Sequence, residues 1–284
     1  MKCTTLILGC GDLGCALGER LLAAGHRVIG ARRHPDTLPD GIEPLALDVT
    51  QPGVLPDADI LVYAVAAERF DESGYQKAYP GGLKAVLDQL SQQRHQPKHL
   101  FFISSTSVYD QNQGELVDEE SPTTPKGFAG RLMLEAERCL QESATPGTVV
   151  RLSGIYGIGR ERLIQQVSEG LIAPEVPVLY SNRIHRDDAA NVLAWLIERV
   201  LADDTIDDCY LATDSEPAAL HDVMAWLANA LNVAPSDYLQ SPLRRRSSKR
   251  CSSQRLTAQG YQFLYPTYRD GYRHILKARG DVDD

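Results

Sequence analysis

Leu6-Ile7-Leu8-Gly9-Cys10-Gly11-Asp12-Leu13-Gly14 sets a G-x-G-x-x-G pattern between an apolar run and a helical one. Upstream, residues 4–8 read as a buried strand. Downstream, Leu13, Leu17 and Leu21 recur at i, i+4 and i+8 on one helical face, and Gly25 stops that helix as a C-terminal cap does. In a strand–turn–helix unit of this kind each glycine has a task. Gly9 permits the tight turn, Gly11 lets a pyrophosphate approach the backbone, and Gly14 lets helix and strand pack closely. The helix N-terminus at Asp12 and Leu13 then offers N–H donors and a partial positive charge to phosphate. The loop therefore reads as a dinucleotide site.

The next apolar run decides which dinucleotide. Val28-Ile29-Gly30-Ala31 is followed by Arg32 and Arg33, with no acid until Asp36. An NAD site ends this strand with an acid that bonds the ribose 2′-hydroxyl, whereas paired guanidiniums suit a 2′-phosphate. NADP(H) is expected rather than NAD. The alternative for both arginines is a solvated loop.

Farther out, apolar runs at 27–30, 43–47, 60–65, 99–103 and 148–152 alternate with helical stripes near 79–93, 132–140 and 188–200. Asp187 or Asp188 is suited to cap the last of these helices. Strands read as continuous apolar runs when helices cover both faces, which predicts an α/β fold with a doubly wound parallel sheet. After Tyr156 the pattern loosens, leaving a helix at 220–231, a basic stretch at 243–253 and the aromatics Tyr261, Phe263, Tyr265, Tyr268 and Tyr272. The expected division is a dinucleotide-binding domain at 1–155 and 184–214, with a small C-terminal substrate lobe at 156–183 and 215–284.

Composition narrows the function classes. The 284 residues are 43% hydrophobic and 24% charged, enough apolar content for a sizeable core. A net charge of −9 argues against a general nucleic-acid binder, which must neutralise phosphates. No apolar stretch approaches the length of a membrane span. The N-terminal run is short and leads straight into the glycine loop, so it reads as a strand rather than a signal peptide, and the expected location is cytoplasmic. Among Cys3, Cys10, Cys15, Cys139, Cys209 and Cys251 there is no C-x-x-C pair and no metal-like His cluster, so reduced thiols and no metal are expected. Cys10 and Cys15 flank a helix N-terminus, which lowers thiol pKa values and leaves a reactive thiol there as an alternative.

Five further segments resemble, in register, the extended and atypical short-chain dehydrogenase/reductases of the NAD-dependent epimerase/dehydratase type. They are Leu47-Asp48-Val49-Thr50, Tyr63-Ala64-Val65-Ala66-Ala67, Phe101 to Tyr109 with its S-S-x-x-V-Y pattern, Val150 to Gly157 with its R-x-x-x-x-Y-G pattern, and Arg183-Ile184-His185-Arg186-Asp187-Asp188. The resemblance implies that Asp48 and Val49 lie beside the adenine, and that Ala64 and Ala66 meet the cofactor riboses. It places Ser105 in the hydroxyl position that orients the substrate oxygen, with Ser104 or Thr106 as alternatives. The family's tyrosine and lysine fall on Gly127 and Arg131, and Tyr79 stands where the family has asparagine. Glycine donates no proton and arginine stays charged at working pH. Arg131 is left to hold the ribose, and the acid must come from elsewhere, for instance Tyr109, a lobe residue or water, or be absent altogether. By analogy, Arg160, Arg162 and the 244–250 cluster would contact an anionic substrate, a solvated loop being the alternative for the cluster. His185 reads as a structural hydrogen-bonded residue.

The expected function is an NADP-dependent oxidoreductase or epimerase-like enzyme acting on a small-molecule hydroxyl or carbonyl substrate such as a nucleotide sugar. The family also implies a homodimer formed through a helix pair. The alternative is a non-catalytic NADP(H)-binding redox sensor or scaffold, motivated by the missing tyrosine and lysine.

Overall fold

The computed structural model describes residues 2–239 and 248–282. Arg244, Arg245, Arg246 and Ser247 of the basic cluster lie outside the described residues. The chain divides into two compact units, one of Met1–Val108, Thr123–Arg151 and Ala189–Tyr210, the other of Tyr109–Pro122, Leu152–Asp188 and Leu211–Asp284.

The seven strands of the central sheet are β1 (Thr4–Leu8), β2 (Arg27–Arg32), β3 (Glu43–Ala46), β4 (Ile60–Tyr63), β5 (His99–Ser105), β6 (Gly147–Leu152) and β7 (Cys209–Ala212). Their order is β7-β6-β5-β4-β1-β2-β3. Strands β1 to β5 pair in parallel. β6 and β7 run the same way, since Val149 N–H donates to Asp208 O and Ser153 N–H to Ala212 O in step. The order reverses between β1 and β4, the switch point where open α/β sheets bind ligands beyond their strand ends. Leu6, Ile7, Leu8, Ile60, Val62, Tyr63, Phe101 and Phe102 are sealed from solvent, as strands covered on both faces require.

The first unit's helices are α1 (Asp12–Ala23), α2 (Glu72–Gln76), α3 (Gly82–Ser91) and α4 (Phe128–Gln141), with α5 (Arg162–Ser168) following in the second unit. A longer helix, α6 (Arg186–Leu201), then crosses the division, and α7 (Leu220–Ala230), α8 (Gln254–Ala258) and α9 (Tyr268–Arg279) complete the second unit. α1 packs on β1 and β2, and α4 on β5 and α3. At the end of α1, Gly25 takes φ +88° and donates to Leu22 O, the left-handed exit expected of it.

Several elements differ from expectation. β4 ends at Tyr63 rather than Val65, because the chain leaves the sheet to pass over Gly9. The helix expected at 79–93 begins at Glu72, where the Asp71 carboxylate accepts Gly74 N–H at 2.7 Å. It continues through a π turn at Lys77–Gly81 that contains Pro80. Proline lacks an N–H, and the wider turn absorbs the missing bond. β7 escaped notice as a strand because its apolar run is only four residues long. Asp187 and Asp188 do not cap α6; they lie within its first turn. Asp188 is buried and instead accepts Leu264 N–H at 2.7 Å, Tyr265 N–H at 2.8 Å and the Tyr261 hydroxyl at 3.3 Å.

The second unit has its own core. Ile164, Val167, Leu220, Val223, Met224, Leu227 and Ile275 pack with Tyr156, Tyr268 and Tyr272. Two of the terminal aromatics thus fill the core and Tyr261 anchors Asp188. Among the described residues no helix is long and apolar enough to cross a membrane.

Candidate active site at the glycine loop

At the carboxyl end of β1 the Gly9 and Cys10 amides both donate to Ala31 O, at 2.9 and 3.0 Å, and fold the chain into a turn against β2. Gly9 has φ +81°, and a Cβ there would lie 2.6 Å from the Val65 backbone. Only glycine fits. A Cβ on Gly14 would meet Ile7 Cγ2 at 3.1 Å and Gly9 O at 3.3 Å, so this glycine sets the distance between α1 and β1. Gly11 is different, since a Cβ there would touch nothing closer than Gly9 O at 3.9 Å. It also supplies no side-chain cap for the first-turn amides at Asp12, Leu13 and Gly14. Open space beside a helix N-terminus with no side-chain cap fits a dinucleotide diphosphate.

Arg32 lies against this loop. Its Nη1 donates to Cys10 O at 3.5 Å and its Nη2 to Thr37 Oγ1 at 2.6 Å, while the buried Nε has no hydrogen-bond partner. Arg33 is exposed and ion-paired with Glu68. The Asp48 carboxyl is held below its usual range, chiefly by the Thr50 N–H and hydroxyl and secondarily by Arg33. Asp48 is exposed and Val49 half-buried. In the loop after β4, Ala64 is half-buried, Ala66 exposed, and Ala67 N–H reaches the Tyr79 hydroxyl at 3.5 Å. The glycine loop, Arg32, Arg33, Asp48 and residues 64–68 therefore form one neighbourhood.

The reactive-thiol alternative fails at Cys10. Burial pushes its thiol up to about 12, against the lowering a helix N-terminus confers, and Cys15 Sγ lies 4.0 Å away. Burial raises Cys15 as well.

Ser105 closes β5, half-buried, its hydroxyl accepting Ser107 N–H at 3.1 Å. Ser104 is no substitute. It is buried and donates to Glu137 Oε1 at 2.5 Å, and Glu137 receives Arg151 through two bonds of 3.0 and 2.7 Å. This enclosed triad ties α4 to β5 and β6. The sequence carried a sign of it, a charged residue on the apolar face of α4 and another inside an apolar strand.

Gly127 caps α4 in extended backbone, and a Cβ added to it would meet nothing within 4 Å. Arg131 donates to Lys126 O at 2.7 Å and to Glu72 Oε1 at 3.1 Å. Next to Gly127, Tyr75 meets Phe70 and Phe128 edge to face, those two rings are tilted against each other, and Tyr79 leans on Tyr75.

In the second unit Tyr109 is enclosed, with the Lys249 ammonium 6.0 Å over its ring and donating to its carbonyl at 3.1 Å. Arg160, Arg162 and Arg279 line a pocket of about 710 Å³ together with Gln165 and Ser168. His185 is buried against Tyr156 and Tyr265, and its Nδ1 accepts Asp187 N–H at 3.2 Å.

Residues 3–277 match the family model of the RmlD substrate binding domain. A Methylobacillus flagellatus protein assigned to the NAD-dependent epimerase/dehydratases is 36% identical, over 99% of this chain and 100% of that one, with a TM-score of 0.79. The human epimerase family protein SDR39U1, in its isoform 2 structure with NADPH, is 19% identical over 96% and 99% of the two chains, at TM-score 0.81. MoeE5 in complex with UDP-glucuronic acid and NAD is 18% identical over 98% and 99%, at TM-score 0.80. These two share the fold, and they differ in the coenzyme they hold. No curated protein matches the chain. The glycine loop, the strand order and a family match running almost end to end agree, and the chain belongs to the RmlD substrate binding domain family of extended short-chain dehydrogenase/reductases.

Proposed function

We propose that this chain binds NADP(H) at Gly9–Gly14 in the cytoplasm and works as an oxidoreductase or epimerase-like enzyme. Its substrate would be a hydroxyl- or carbonyl-bearing anion of the nucleotide-sugar kind. The observation that carries the reading is Arg32, a guanidinium laid along the glycine loop at the end of β2 where an NAD site has an acid. When bound, the coenzyme would accept or deliver a hydride.

The chain's own residues would do the rest. The first-turn amides of α1 and Gly11 would hold the diphosphate, and Arg32 with Arg33 the 2′-phosphate. An exposed ion pair such as Arg33–Glu68 is weak enough for phosphate to displace it. Asp48 and Val49 would border the adenine, and Ala64 and Ala66 the riboses. Ser105 would orient the reacting oxygen. Arg131 would lend positive charge without exchanging protons, since guanidinium does not titrate here. The enclosure of Tyr109 favours water or the substrate as proton source.

The test follows NADPH absorbance against a panel of sugar nucleotides, with Ser105→Ala beside the parent. Expected is steady turnover that falls at least about 100-fold in the variant, the scale of losing one catalytic hydroxyl. No oxidation or epimer formation with any substrate would refute the enzymatic reading.

A second reading, an NADP(H)-binding redox sensor, is favoured by the open space at Gly127 and the engagement of Arg131 by Glu72 and Lys126 O. It predicts coenzyme binding without turnover.

A further inference from the structure

The turn that opens α6 carries His185 and Asp187, and α9 brings His274 beside them. One nitrogen of each imidazole and one Asp187 carboxylate oxygen lie within 4.8 Å of one another. The carboxylate is divided. Its Oδ1 takes the Arg186 guanidinium at 3.0 and 3.1 Å, while Oδ2 faces His185 Nδ1 at 3.8 Å. His185 Nδ1 accepts the Asp187 N–H at 3.2 Å, so an ion held at Nδ1 would replace this bond. Packing holds the buried His185 ring, whereas His274 is only half-buried. Tyr265 lies 4.2 Å from His185 and 5.1 Å from His274 between centroids, and Tyr156 meets His185 edge-on at 5.3 Å. Asp187 and His274 are partly open to solvent.

We propose that His185, Asp187 and His274 form a binding site for a divalent transition-metal ion, zinc foremost, completed by water. Two imidazoles and a carboxylate are borderline donors of the kind Zn²⁺ and its neighbours take. With bonds of about 2.0–2.1 Å, tetrahedral neighbours lie about 3.4 Å apart. The His185–Asp187 pair at 3.8 Å is close to this, and rotation of the half-buried His274 side chain closes the wider separations. Arg186 serves as an outer partner, fixing Oδ1 so that Oδ2 is presented to the imidazole. A bound ion would clip the start of α6 to α9 and stabilise the second unit. The site is independent of the glycine loop, so coenzyme binding can fail without touching it.

The test uses full-length, tag-free protein stripped with chelator and titrated with Co²⁺, followed by Zn²⁺. A saturable visible absorption band that Zn²⁺ abolishes is expected, together with a rise in Tm on adding Zn²⁺. His274→Ala and Asp187→Asn should each weaken Co²⁺ binding at least about 100-fold, the upper range for loss of an outer partner, and remove the Tm rise. Both positions are partly exposed, and circular dichroism verifies that each variant is folded. If one variant does not fold, the other decides. No saturable Co²⁺ band in the parent, or an undiminished band in a folded variant, overturns the proposal.

Discussion

Arg32 and Gly127 are the two residues whose neighbours most constrain function. Arg32 reaches across to Cys10 O in the glycine loop and to the Thr37 hydroxyl. Gly127 stands where the family resemblance places a tyrosine. Its backbone is extended and its surroundings open, so Gly127→Tyr should fold with stability changed by less than about 0.5 kcal/mol, as at an unconstrained surface position. If a missing acid limits the rate, the new phenol should raise kcat with little change in KM. A sugar-nucleotide assay of parent and variant reads this directly, and a fall in kcat would deny Gly127 the proposed place. The place of Arg32 at the end of β2 was legible in the sequence, because it directly follows the second apolar run. The company Arg33 keeps was not, since Glu68 arrives from a different loop.

Among elements, α4 shows how the site is braced. Its apolar face carries Met133, Ala136 and Leu140, with Glu137 among them, and Glu137 joins Ser104 of β5 to Arg151 of β6. Breaking such a pair leaves a buried charge without its partner, at a cost of about 3–5 kcal/mol. Glu137→Gln should therefore lower the urea midpoint strongly and, by loosening the end of β5, depress whatever activity Ser105 supports. A loss below about 1 kcal/mol would show that the triad is dispensable. Periodicity found the strands that long apolar runs announce, from β1 to β6. It missed β7, whose run is short, and the early start of α2, where an aspartate cap and a π turn around Pro80 replace the usual stripe. Asp187 and Asp188 looked like caps because acids prefer helix starts. Tertiary bonds from residues 261–265 claimed Asp188 instead.

For the whole molecule, the second unit holds the features least visible in sequence, because its contacts join residues far apart along the chain. Asp214 is an example. It is buried, and desolvation raises its carboxyl from about 3.9 to about 8, opposed by the nearby Arg183. Below pH 4 it is neutral in both folded and unfolded states. As pH rises toward 8 the unfolded chain gives up the proton and the folded chain keeps it, so this group's contribution to stability is lost across that window. Asp214→Asn should flatten the decline in unfolding free energy between about pH 4 and pH 8, measured by urea denaturation at stepped pH; an unchanged slope would contradict this. The proposed preference for the 2′-phosphorylated coenzyme rests on Arg32 beside the glycine loop. Calorimetric titration of NADPH and NADH into the parent and Arg32→Ala tests it most directly. Expected is tighter binding of NADPH than NADH in the parent, and loss of most of that preference in the variant, about 1.5–3 kcal/mol for charge-assisted bonds to phosphate. Binding of neither coenzyme, or equal affinity for both in the parent, would contradict it.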